Sequence, residues 1–392
     1  MKKMRITALL LTAALCSSFA LGAAAEEVKL AEPPAAVAEE ENGFFQDLLH
    51  WLFAQEEFHD SGCLDMPKLS EQEIVQLLAE NPTNTPNEVY ESEPLCTAPY
   101  AAGKVKTEVL QAAANRLTAL RRLAGLPAVE LDLSLSENAQ YGAVILARIG
   151  ELDHTPSNPG DMPDWFYREA YKATSSSNLA RRSVGLSGRW LDPINNALAK
   201  TGPAQAVDDF MMDNFVLSVG HRRWQLNPSL KKVGFGYVAD HVISSAEDGT
   251  ISERMSEYTA EKVFDTSGKA GNYNFIAWPA SGNFPNSQQP GVWSISLNPE
   301  KFQQPIQSRV RITLTRESDG AVWKFGGSDG WLSVDTDGYG IDNCIIFSPI
   351  GISDVPNSSK CIGTYTVRVD GLVSASGRTV KTFEYQVNFV DA

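Results

Sequence analysis

The chain has 392 residues, with 33 Lys and Arg against 48 Asp and Glu, for a formal net charge of −15. That balance argues against a nucleic-acid partner, whose phosphates demand a basic stripe, and no segment has the length and apolarity of a transmembrane anchor. The length predicts two or three domains.

The N-terminus Met1-Lys2-Lys3-Met4-Arg5 is basic, Ile6 to Ala20 is apolar, and Ala23-Ala24-Ala25 precede Glu26. This is the pattern of a secretory signal peptide over 1–25, so the chain is expected to be secreted to the extracellular space. Without Cys16 four cysteines are left, Cys63, Cys96, Cys344 and Cys361. An even count in an exported chain predicts two disulfides. The sequence-local pairing is Cys63–Cys96 and Cys344–Cys361, one of three possible connectivities.

Residues 26–98 read as a flexible leader followed by a small helical accessory segment. The stretch 26–45 is rich in Glu, Ala and Pro, and Phe44 to Phe58 is an aromatic amphipathic run. Ser70-Glu71-Gln72-Glu73 is a capping box opening a helix through Leu78. From Thr107 the apolar spacing Leu110, Ala114, Leu117 predicts a helix that stops before Gly125. Ser134-Leu135-Ser136-Glu137 reads as a second capping box, opening a helix that presents Ala139, Ala143, Leu146 and Ala147 on one face and ends near Gly150. His154 follows one turn later. Residues 156–203 read as loop. Gly202-Pro203 opens a helix through Val207, Phe210 and Met211. Val233 to Val242 and Tyr258 to Phe264 read as antiparallel strands. After Gly268 come six strand-like runs, starting at Val292, Val310, Val322, Cys344, Tyr365 and Phe383, with no helix between them. Residues 269–392 are therefore expected to form an all-β, immunoglobulin-like sandwich.

His154 and His221, delivered by separate elements, can line one cavity. Imidazole suits both metal and substrate binding, and two histidines, Asp213 and water would make an open Zn²⁺ site.

Asp153-His154-Thr155, Ser177-Asn178-Leu179-Ala180, Gly220-His221-Arg222-Arg223-Trp224 and Gly234-Phe235-Gly236 occur in an order that resembles the CAP superfamily (cysteine-rich secretory, antigen and pathogenesis-related proteins), in its bacterial secreted branch. The resemblance covers roughly 99–268 and implies an α-β-α sandwich, making the whole chain an α+β protein. It also implies a cavity lined by two histidines, matched by His154 and His221, and by acidic residues. The first family acid falls at Ser177, beside Asn178, so that carboxylate is missing. The second falls at Asp213, with Asp209 as the alternative.

Two functional readings follow. The first is a secreted, non-enzymatic protein binding a small ligand, lipid, peptide or cell-envelope component through a cavity of His154, Ser177, Asn178, Asp213 and His221. The second is a secreted protease or esterase using His154, His221 and Asp213 or Ser177. Arg222-Arg223 reads as an anion site beside the cavity or as a structural pair facing Asp209, Asp213 or solvent, the structural role being favoured. Asp335-Thr336-Asp337-Gly338 with Asp342-Asn343 reads as a calcium loop or a turn-rich hairpin, the hairpin being favoured because the third loop acid and terminal Glu of an EF-hand are missing.

Overall fold

The structure is a computed structural model that describes residues 59–392 apart from 87, 190–198, 215, 328, 350–360 and 378–379. The expected signal peptide, the leader and the Phe44–Phe58 run lie outside the described residues. Helix α1 (Glu71–Glu80) opens on the expected capping box: Ser70 Oγ accepts the Glu73 N–H, and the Glu73 carboxylate accepts the Ser70 N–H at 2.8 Å. A short antiparallel ribbon follows, β1 (Tyr90–Ser92) and β2 (Lys104–Val105). Helix α2 (Thr107–Leu123) buries Leu110, Ala114, Leu117, Leu120 and Arg121, the face its spacing defines.

Strand β3 (Glu130–Leu131) leads into α3 (Leu133–Ile149). This helix starts one residue before the expected box, because Asp132 is its cap, accepting the N–H groups of Ser134 and Leu135. Its end is Gly150, in the left-handed conformation at φ 76°. The segment 156–203 is not all loop. It holds α4 (Asp164–Thr174), which buries Phe166, Ala170, Ala173 and Thr174, and β4 (Asn178–Gly188). The spacing i, i+4, i+7, i+8 in α4 is helical, but turn-forming residues on both sides mask so short a run. Helices α5 (Gly202–Met212) and α6 (Gly220–Gln225) precede β5 (Lys232–Ser245) and β6 (Ile251–Lys262).

These strands form one sheet in the order β3-β5-β6-β4, with β3 parallel to β5 and the other neighbours antiparallel. Alternation along β5 separates the two helical layers. Gly234 and Gly236 face α3, where a Cβ on Gly236 would lie 2.2 Å from the Ala139 carbonyl, so only glycine permits this approach. Phe235 and Tyr237 point the other way, into the apolar cluster that holds Leu117 and Val207 of α2 and α5.

The remaining strands are β7 (Phe275–Trp278), β8 (Gly282–Pro285), β9 (Trp293–Leu297), β10 (Arg311–Arg316), β11 (Ala321–Phe325), β12 (Leu332–Asp335), β13 (Cys344–Phe347), β14 (Gly363–Val373) and β15 (Val380–Val390). They make a five-stranded sheet, β11-β10-β14-β15-β8, and a four-stranded sheet, β12-β13-β9-β7. All six expected runs are strands. The additional β7, β8 and β12 are four residues each, too short for alternation to reveal. Trp278 and Trp293 are fully buried core residues. One apolar cluster runs from Ile74 through Leu117 and Phe235 to Trp293 and Phe389, so α2, the sheet and the β-sandwich share a core. All of this lies in a single unit, Gln55–Ala392.

The expected disulfides are corrected: Cys63, Cys96, Cys344 and Cys361 are free thiols. The members of each sequence-local pair pack into different places. Cys63 lies in the main core cluster and Cys96 against the one around Phe166. Cys344 packs with Val219 and Ile346, while Cys361 meets Gln289 in the main cluster. Among the described residues no helix is long and apolar enough to cross a membrane.

Candidate functional site

The link between α5 and α6 sets the geometry of His221. Asp213 closes α5 with φ 47°, and Val219 precedes α6 with φ 45°. A β-branched residue in the left-handed region is strained by on the order of 1 kcal/mol and persists only where packing enforces it. Here Val219 is fully buried against Cys344 and Ile346 of β13. The β-sandwich thus fixes the start of α6, and with it the direction of His221.

His221 Nδ1 lies 2.9 Å from Asp213 Oδ1, and Asp213 Oδ2 accepts the Arg222 N–H. The Asp213 side chain is 2 % exposed and that of His221 24 %, so a buried carboxylate orients a half-open imidazole. With Nδ1–H donated to Asp213, Nε2 is the free acceptor of the neutral ring. Phe210 packs beside the ring, centroids 5.2 Å apart.

Asn178 joins this group from β4, its Nδ2 donating to the His221 carbonyl at 3.3 Å and to Glu261 Oε2 at 3.0 Å. Glu261 is a carboxylate that sequence reasoning missed. It lies on β6 directly across from Asn178 and is fully buried. Gln225 Nε2 also donates to it, at 2.9 Å, and no ion pair compensates it among the described residues. Burial pushes its carboxyl up to about 7, against the opposing effects of Gln225, Asn178 and the nearby His221. The missing acid at 177 thus has a counterpart one strand away. The alternation of β6 was the available signal: Glu257, Thr259 and Glu261 share the face toward α5 and α6.

The other expected residues, His154 and Ser177, bond to the end of α4. His154 Nδ1–H donates to the Thr174 carbonyl at 2.9 Å, and Thr174 Oγ1 returns a bond to the His154 carbonyl. Ser177 is 1 % exposed, and its hydroxyl donates to the Ala173 carbonyl at 2.7 Å. His154 and Ser177 therefore brace the end of α4, and neither hydrogen-bonds to His221. The zinc expectation does not fit this donor set. Asp213 bonds His221 Nδ1 as an orienting partner rather than standing beside the ring as a ligand, and among the described residues no three His, Cys, Asp or Glu side chains are arranged to hold a metal ion.

Arg222 and Arg223 are structural, though not through Asp209 or an Asp213 side-chain bridge. The Arg222 guanidinium is fully buried and donates to the carbonyls of Met211, Met212 and Val292 and to Ser294 Oγ. Arg223 donates to the carbonyls of Ser218, Asp337 and Ile341 and pairs with Asp335 at 2.9 Å. Its guanidinium brings the positive charge to the loop for which the sequence left a calcium loop as the lesser alternative to a turn-rich hairpin. Trp224 packs against Phe264 with the rings tilted by 32° and their centroids 4.1 Å apart.

The family model described as CAP, the cysteine-rich secretory protein family, matches residues 114–244. No curated protein sequence matches the chain. Among solved structures, CopC from Methylosinus trichosporium OB3b is 10% identical with a TM-score of 0.19, covering 30% of this chain and 96% of its own. Venom allergen-like protein 4 of Schistosoma mansoni is 11% identical with a TM-score of 0.20, covering 43% of this chain and 97% of its own. Similarities that low carry no functional weight. The family match runs from within α2 to β5 and includes the Asp213–His221 pair and Asn178, so residues 114–244 of this chain form a CAP domain.

Proposed function

We propose that this is a secreted CAP-domain protein that binds a small ligand, lipid, peptide or envelope component at His221, with the β-sandwich of 269–392 as a second domain that positions or attaches it. The observation that carries this reading is the buried Asp213 holding a part-exposed His221 with Nε2 turned free. The N-terminal pattern supports export. The reading is non-enzymatic at His221, because Ser177, the nucleophile of the hydrolase alternative, is buried and bonded to a helix carbonyl.

The test is to follow the His221 imidazole resonances while adding laurate, a short neutral peptide or muramyl dipeptide. One class is expected to shift them saturably, and Asp213→Asn is expected to weaken that binding about tenfold, equivalent to about 1.4 kcal/mol. If none of the three perturbs His221 at millimolar concentration, the reading is wrong.

A further inference from the structure

Lys262 ends β6 and, following Glu261, points to the opposite face of the sheet. There its Nζ lies 2.7 Å from Ser176 Oγ and 3.2 Å from the Ala173 carbonyl. Lys262 is only 7% exposed, and no carboxylate lies within ion-pair distance of it among the described residues. Buried lysines are ordinarily paired. This one faces a hydroxyl and one helix-end carbonyl, with Lys172 adding a like charge. Ser176, unlike its buried neighbour Ser177, is partly exposed.

We propose that Ser176 and Lys262 form a nucleophile–base pair competent for acyl transfer from small carboxylic esters. This goes beyond the ligand-binding reading and shares no residue with the His221 group. Lys262 also lies outside the segment matched by the family model.

With Lys262 as an ammonium, Nζ donates to Ser176 Oγ, and the hydroxyl donates to the Lys172 carbonyl at 2.6 Å. Once the amine is neutral the contact reverses, and the hydroxyl donates to Nζ. Burial first, and Lys172 second, bring the Lys262 amine down to about 8, within the range where a base is both available and strong enough. Ser176 Oγ then attacks the ester carbonyl carbon while Nζ takes its proton. The carbon–alkoxy bond breaks, and the leaving alkoxide takes that proton from the ammonium. Water, giving its proton to Nζ, attacks the acyl-serine. The acyl–Oγ bond breaks, Oγ recovers the proton, and the carboxylic acid leaves. Serine–lysine pairs of this kind are a recognised variant of the serine–histidine arrangement.

The experiment is labelling of the full chain with a fluorophosphonate, which forms an Oγ–P bond with loss of fluoride, followed by mass-spectrometric mapping. The expected result is an adduct on Ser176 whose rate of formation rises with pH through about 8, is abolished in Ser176→Ala and falls at least about 100-fold in Lys262→Met. The wild-type adduct and its pH profile require no variant, so a poorly folding Lys262→Met leaves the test intact. No adduct on Ser176 between about pH 6 and about pH 10, or a rate indifferent to pH and to Lys262, overturns the proposal. Failure here leaves the imidazole titration of His221 untouched, so the two readings fail separately.

Discussion

Arg223→Ala is expected to cost about 3–5 kcal/mol, because removing one partner of a buried, hydrogen-bonded ion pair strands the other. The guanidinium is 1 % exposed and Asp335 17 %. Its loss leaves the Asp335 carboxylate without the only ion-pair partner it has among the described residues and takes a donor from the carbonyls of Ser218, Asp337 and Ile341, while the Asp337 N–H on Asp335 and the Tyr339 N–H on the Asp337 carbonyl remain. For a unit of this size the melting temperature should fall by on the order of 10 °C. Arg223→Lys should recover little of it, since one ammonium cannot reach donors placed for a planar fork. Thermal unfolding followed by circular dichroism measures both. Melting unchanged in Arg223→Ala would mean that the loop 335–343 does not depend on the guanidinium.

Glu261→Gln is expected to change how stability depends on pH. The carboxyl is raised from 4.5 to about 7, chiefly by burial. The sign follows from proton counting. Below about pH 4.5 both folded and unfolded chains carry the proton, and Glu261 imposes no penalty. Between about 4.5 and about 7 the unfolded chain releases it while the folded chain keeps it, so stability falls as pH rises. Above about 7 the accumulated penalty is roughly 3 kcal/mol, because each step of one in pH across that window adds about 1.4 kcal/mol. The glutamine variant has no proton to release and so loses that slope. Its new amide N–H₂ meets an acceptor once Gln225, whose Nε2 now donates to Glu261 and whose Oε1 is buried without a partner, turns its amide over. The variant should match the wild type near pH 4.5 and exceed its unfolding free energy by about 3 kcal/mol near pH 8. Denaturant titrations at several pH values decide this, and parallel curves for the two proteins would sink it.

The architecture was legible where one period ran long enough. Helix α2, the β5–β6 hairpin and five of the six expected sandwich strands announce themselves by spacing, while the four-residue β13 does so by its unbroken apolar run Cys344–Phe347. Helix α4 did not, because Pro163 before it and the three serines after it look like loop, while its buried face is only Phe166, Ala170, Ala173 and Thr174. At the site, the order of motifs located Asp213, His221 and Asn178 and showed the acid absent at Ser177. It could not show Glu261, because a cross-strand neighbour 83 residues away is set by sheet register rather than by local pattern. The same limit hid the roles of Arg222 and Arg223. Read locally they face Asp209 and Asp213; folded, they reach Val292 and Asp335, in a domain whose docking no local signal encodes. The cysteine pairing failed for a related reason: proximity along the chain does not place thiols in the same apolar cluster.

Gly220-His221-Arg222-Arg223-Trp224 thus divides its labour: the arginines fasten the β-sandwich, while Asp213 orients His221, the residue we propose meets a ligand. Comparing the thermal unfolding of His221→Ala with that of Arg223→Ala tests this division most directly. A residue held for binding contributes little to the fold, so His221→Ala should melt within about 2 °C of the wild type, consistent with a change of about 0.5 kcal/mol, while Arg223→Ala falls by on the order of 10 °C. A loss in His221→Ala comparable to that in Arg223→Ala would contradict the account, because the histidine would then be a strut of the fold.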